Sequence, residues 1–118
     1  MDIRESILTC LSKYIDFNGR ARRSEYWWFA LAAGAVSLVL TGLGRTLGIF
    51  NVLATIFSIA VFLPELAVTW RRLHDIGKKG SWFFIILVPI VGVILLIVWL
   101  AQDSQPGSNE YGPNPKEM

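Results

Sequence analysis

The chain's only histidine, His74, stands beside Asp75 in the stretch W-R-R-L-H-D-I-G-K-K-G-S-W, Trp70 to Trp82. A histidine next to a carboxylate is raw material for a general base or a metal ligand. Adjacent helical positions point about 100° apart, so this pair does not converge on one atom. Cys10 is the only cysteine and there is no second histidine, so neither a disulfide nor a multi-thiolate metal site can be assembled within the chain. The four cations and two tryptophans of the stretch suit another task, because indole rings favour the headgroup level of a bilayer and Arg and Lys attract anionic lipid phosphates. On this reading Arg71, Arg72 and Trp82 contact lipid or a partner, and Gly77 and Gly80 return the chain between two helices.

A second cuff of the same chemistry, G-R-A-R-R-S-E-Y-W-W-F, begins at Gly19 and contributes Arg20, Arg23, Tyr26 and Trp27 to the same kind of contact. Its carboxylate Glu25, together with Asp75, can pair with Arg71, Arg72, Arg20 or Arg23 and so set the helices in register. If exposed, each such pair contributes only ~0–1 kcal/mol. Glu65 follows Pro64 inside an apolar run, where a centred acidic charge costs roughly 3 kcal/mol on insertion. Arg72, seven positions on, falls on nearly the same helical face and is a candidate partner. The other reading of Glu65 is a proton or ligand site. The candidate polar site is therefore Glu25, Glu65, His74 and Asp75. No catalytic residue, metal or cofactor is assigned, and no recognition motif supports nucleic-acid binding.

Positioning these residues falls to helices built for lipid. The 118 residues are 53% hydrophobic and 17% charged, a balance that leaves a small soluble domain with more apolar surface than its interior can hide. The uncharged window 82–101 would cross roughly 30 Å as a helix, the thickness of a bilayer core. Further windows at about 26–44 and 47–70 bring the expected crossings to three. Before them, Ile3, Ile7, Leu8, Leu11, Tyr14 and Ile15 recur at helical spacing over about 2–17. Asp2 and Glu5 make a capping-box-like start to this amphipathic helix, which lies along the interface or folds against the others. No cleavable signal peptide is expected, and the first span reads as an uncleaved anchor. The fold class expected is an all-α membrane protein with an amphipathic N-terminal helix and three transmembrane helices, forming one domain over 1–118.

Lys and Arg number five before the first span, one between the first and second, four between the second and third, and one after. The positive-inside rule then puts the amino terminus and the Arg71–Lys79 loop in the cytoplasm, with the polar tail 102–118 in the periplasm. Pro89-Ile90-Val91-Gly92 offers an alternative, a hairpin that turns the last apolar segment back and leaves the tail in the cytoplasm. Rows of small residues, such as Ala30-x3-Gly34 and Ala54-x3-Ser58, suit packing within one chain or against a second copy.

Three elements together, G-R-A-R-R-S-E-Y-W, R-R-L-H-D-I-G-K-K-G-S-W and N-E-Y-G-P-N-P, resemble the bacterial domain-of-unknown-function 805 family over almost the whole chain. The resemblance implies a multi-pass protein of the bacterial inner membrane with no established activity, and transfers no catalytic residue. Lys79 and Ser81 stand where look-alikes often carry Ser and Trp. A tail across the bilayer would keep the third element away from the other two, so a single site made of all three requires the hairpin. The function expected is an interaction or lipid-organising component whose partners are the bilayer, its anionic lipids, and other membrane proteins or itself. The alternative is a small transporter or membrane enzyme using Glu65, His74 and Asp75.

Overall fold

Residues 2–116 are described by a computed structural model, so the expected tail's residues 117–118 lie outside it. Among the described residues the regular elements are all helical: α1 (Ile3–Ser12), α2 (Arg23–Leu43), α3 (Ile49–Asp75), a 3₁₀ segment (Gly80–Leu87) and α4 (Val91–Ala101). The side chain of Asp2 caps α1 by accepting from the Glu5 N–H at 2.8 Å, as the sequence suggests. The helix stops at Ser12, short of the expected residue 17. It is a packed helix rather than one merely resting on a surface: Ser6 and Cys10 are buried, and Cys10 lies in a cluster with Ala21, Phe29 and Val68. Its Leu8 and Leu11, with Ile15 just beyond, remain exposed.

Among the described residues α2 and α3 are the two helices long and apolar enough to cross a membrane, at about 31 Å and about 40 Å. Their outward side chains are bare, with Leu38 75% and Ile59 70% exposed, which in water would be a large unfavourable surface. α3 runs past the expected end at Trp70 through Arg-Arg-Leu-His-Asp, so the first half of the predicted loop is helical. Gly77, at φ +79°, ends that run. Pro64 sits inside α3 without breaking it. Proline has no N–H to offer the carbonyl four residues back, Ala60, and the hydroxyl of Tyr14 donates to that oxygen instead.

The single continuous helix expected over 82–101 does not form. The apolar run splits into the 3₁₀ segment and α4, each only about 16 Å long, which pack side by side as a hairpin. Pro89 disfavours a continuous helix because its ring would crowd the Ile85 carbonyl and it offers that oxygen no N–H, and among the described residues no side chain takes over as Tyr14 does beside Pro64. The chain reverses in a γ-turn, with Ile90 at φ +65° and ψ −64° and the Val91 N–H donating to the Pro89 carbonyl at 2.7 Å. Gly92 permits the close approach of the two arms, since a Cβ there would lie 1.7 Å from the Ile85 oxygen. Leu96 and Leu100 then bury against Leu73. The tail consequently emerges at the same end of the bundle as Gly19–Arg23 and the end of α3. This corrects the expectation that the tail lies opposite the amino-terminal cuff.

Candidate functional site

At that end, three stretches far apart in sequence converge on Asp75. Its carboxylate accepts from Arg20 Nε at 3.0 Å, from Arg72 Nη1 at 3.0 Å and from Ser104 Oγ at 2.6 Å. None of these ionised side chains is more than 1% exposed. Taking such charges out of water costs several kcal/mol each, so they persist only where hydrogen bonds beyond the pair replace the lost hydration. Arg20 meets that condition with backbone carbonyls: Nη1 donates to those of Gly107 at 2.8 Å and Gly112 at 3.3 Å in the tail, and Nη2 donates to that of Gln105 in the tail at 2.6 Å and to that of Asp75 at the end of α3 at 3.1 Å. Arg72 turns to the end of α4, where Nε donates to the Leu100 carbonyl at 3.1 Å and Nη2 to that of Gln102. Trp27 Nε1 also donates to Leu100, at 3.0 Å, and Arg23 Nη1 donates to Ala101 at 3.3 Å. Cations and an indole thus satisfy the orphan carbonyls of a helix C-terminus, where the helix dipole is negative.

The tail is fastened a second time through His74. The imidazole Nδ1 lies 2.9 Å from the Gly19 carbonyl, which can only accept, so Nδ1 carries the proton of the neutral ring. Tyr111 stacks flat on this ring at a centroid distance of 3.8 Å. Asn109 Nδ2 donates to the His74 carbonyl at 3.0 Å, and the Gln105 N–H donates to the Asp75 carbonyl at 2.9 Å. Asn109 and Gly112 exchange both backbone hydrogen bonds, closing the tail into a tight loop. A separate buried pair, Glu25 with Arg71 Nη1, ties α2 to α3. Arg71 Nε also donates to the Asp16 carbonyl at 3.1 Å, and the Cys10 thiol lies 3.7 Å from the Glu25 carboxylate. Burial foremost, then the Glu25 charge, pushes that thiol up to about 12.

The family described as "Protein of unknown function (DUF805)" matches residues 14–113, a range that holds the buried ion pairs and nearly all of the tail's fastenings. The chain belongs to this family. "Inner membrane protein YhaH" of Escherichia coli K12 is 42% identical over 114 residues, covering 92% of this chain and 94% of that protein. "Inner membrane protein YhaI" of the same organism is 39% identical over 110 residues, covering 92% and 93%. The uncharacterized protein YiiR is 32% identical over a shorter match, 61% of this chain and 49% of that one. No solved structure matches.

In this DUF805 chain the residues singled out from sequence divide into two groups. Arg20, Arg71 and Arg72, expected to touch lipid, are instead buried and engaged with carboxylates and carbonyls of the chain itself. Arg23, Trp27 and Trp82 do lie at the surface, and Tyr26 is half-buried between the two apolar clusters. Glu25 and Asp75 form the ion pairs anticipated for them, but in the interior. Glu65 stands apart from His74 and Asp75 by about 14–15 Å along α3, and Arg72 turns to Asp75 rather than to it. It lines two shallow cavities. One, of 250 Å³, runs between the small residues Ala30, Ala33, Gly34 and Ser37 of α2 and Ser58 of α3. The other, of 190 Å³, lies beside Tyr26, Thr69 and Phe83. Sequence reasoning singled out neither Ser104 nor Gln105, and gave Asn114 no role beyond its place in the tail motif. The signal was the N-E-Y-G-P-N-P motif taken together with Pro89 and Gly92, which bring the tail back to the cuffs.

Proposed function

We infer that the chain is an integral protein of the bacterial cytoplasmic membrane that works by binding lipid and other membrane proteins rather than by turning over a substrate. One observation carries this reading. The ionisable groups a catalyst would need free, Arg20, Arg71, Arg72, Glu25 and Asp75, are engaged inside the bundle, whereas the apolar flanks of α2 and α3 and the rim at Arg23, Trp27 and Trp82 are open. The names of the relatives YhaH and YhaI support the membrane. In this reading α2 and α3 cross the bilayer, while the 3₁₀ segment and α4 enter and leave from one side as a re-entrant hairpin. Its turn reaches about half the depth of the hydrocarbon core. The basic residues of both cuffs, with Lys116, share one end, and Arg45 alone lies at the other. By the positive-inside rule the amino-terminal motif and the tail then both face the cytoplasm.

Two measurements test this. A fluorescent reporter fused to the carboxyl terminus should fold and shine in the cytoplasm, while a phosphatase fused there should be inactive; the reverse pattern would restore three crossings. Photo-crosslinkers placed at Trp27 and Trp82 in native membranes should capture lipid or protein adducts that the same group at buried Leu73 does not. Equal yields from all three positions would count against a binding surface. A second reading, a transporter, draws on Glu65 and the two cavities it lines. A pH-dependent flux through reconstituted vesicles, abolished in Glu65→Gln with the fold intact, would favour it over the first.

A further inference from the structure

Three cations outside the buried Asp75 and Glu25 pairs, Arg22, Arg23 and Lys116, gather in one place. Arg22, Arg23, Ser24, Asp103 and Lys116 line a cavity of 220 Å³ at the amino-terminal end of α2. Three cations there face one carboxylate. Arg22 precedes the helix in an extended conformation without a side-chain cap, so the positive end of the α2 dipole also lies at the cavity. Ser24 adds a hydroxyl whose oxygen is buried and has no hydrogen-bond partner among the described residues. Such a group is costly to leave unmade and is satisfied if a ligand oxygen accepts from it. Lys116 Nζ already holds one anion, reaching both oxygens of the Asp103 carboxylate at 2.8 and 2.9 Å.

We propose that this cavity binds the phosphate of an anionic lipid headgroup, with Arg22, Arg23 and Lys116 as charge partners and Ser24 as a neutral donor. The choice of a lipid over a free phosphate follows from what lies directly below. On α2, Arg23, Trp27, Leu31 and Leu38 fall within about 80° of one another around the axis. Trp27, Leu31 and Leu38 are 40%, 60% and 75% exposed. A phosphate seated beside Arg23 therefore has an open apolar track beneath it for its acyl chains, with an indole at headgroup depth. Asp103 acts as a tethered competitor that occupies Lys116 until the headgroup arrives. The inference rests on the membrane reading above and adds to it a located site with a stated ligand chemistry.

The test uses the full chain in detergent micelles and native mass spectrometry, with phosphatidylglycerol and phosphatidylcholine of identical acyl chains as probes. Phosphatidylglycerol should bind at least tenfold more tightly. Arg22→Gln and Lys116→Gln should each weaken it about fivefold, the worth of one cation near a membrane surface. Asp103→Asn should strengthen it by a similar factor, a gain that a purely structural role for the Asp103 pair does not produce. Ser24→Ala should weaken binding without lowering the thermal midpoint. A headgroup preference unchanged in all four variants overturns the site and leaves the membrane reading intact. Displacement of the lipid by millimolar inorganic phosphate would make a soluble phosphate the occupant and overturn the lipid assignment. Recovery of the chain as a monodisperse species without detergent would instead defeat the membrane reading itself.

Discussion

Replacing Asp75 by Asn tests the central feature of this fold with a change of almost no volume. The carboxylate is fully buried and receives Arg20, Arg72 and Ser104. Neutralising it leaves two guanidinium groups facing one amide in a region closed to water. Breaking a buried pair in this way costs about 3–5 kcal/mol, whereas an exposed pair costs about 0–1 kcal/mol. The whole stability of a domain of this size is about 5–15 kcal/mol, so the effect is readily measured. Reversible unfolding in mixed micelles gives the global loss, and hydrogen exchange gives its location. The Gln105 amide, bonded to the Asp75 carbonyl, and the Gly112 amide should lose protection well before amides in the middle of α3. Adding Arg20→Gln should restore about 0.5–3 kcal/mol relative to the sum of the single changes, because the double variant no longer strands that cation. A loss below ~1 kcal/mol with the tail still protected would show that the cluster behaves like surface charge, and the account of how the tail is held would fall.

Further expectations follow from single contacts. Tyr14→Phe strands the Ala60 carbonyl and should cost about 1–3 kcal/mol, while Pro64→Ala in the same chain supplies a new N–H and should recover most of it; equal losses in single and double variants would separate Tyr14 from Pro64. Gly92→Ala forces a methyl group against the Ile85 carbonyl, which as backbone cannot turn aside, so the hairpin should open and the tail become susceptible to limited proteolysis. Cys10, whose thiol burial pushes up to about 12, should resist maleimide at pH 8 until the protein unfolds. The raised value also sets a sign: folded and unfolded states hold the same proton below pH 9, but above it the unfolded thiol ionises first, so stability falls between about 9 and 12. That decline should be smaller in Cys10→Ala; identical pH profiles for the two proteins would contradict it.

The two long helices and the pairing of Glu25 and Asp75 with arginines were legible in the sequence because each follows from local chemistry: length and apolarity for the spans, opposite charges on facing cuffs for the pairs. What misled was the assumption that an arginine near a membrane end faces water or phosphate. Arg20 and Arg72 spend all three nitrogens, and Arg71 two of its three, on the carboxylates of Asp75 and Glu25 and on backbone carbonyls, and a carbonyl carries no mark in a sequence of which helix end will present it. The same blindness misplaced the tail, whose described part has Lys116 as its one cation and which docks through Asn109, Gln105 and Tyr111, groups that a count of charges cannot see. Face arithmetic failed for Glu65 on similar grounds: Arg72 at i+7 shares its side of α3, but Asp75 at i+3 from Arg72 is nearer. Pro89 and Gly92 were the corrective. A proline ring and a missing Cβ act on this backbone directly, whereas the single lysine of the described tail biases topology only weakly, so residues 89–92 outweigh the charge count.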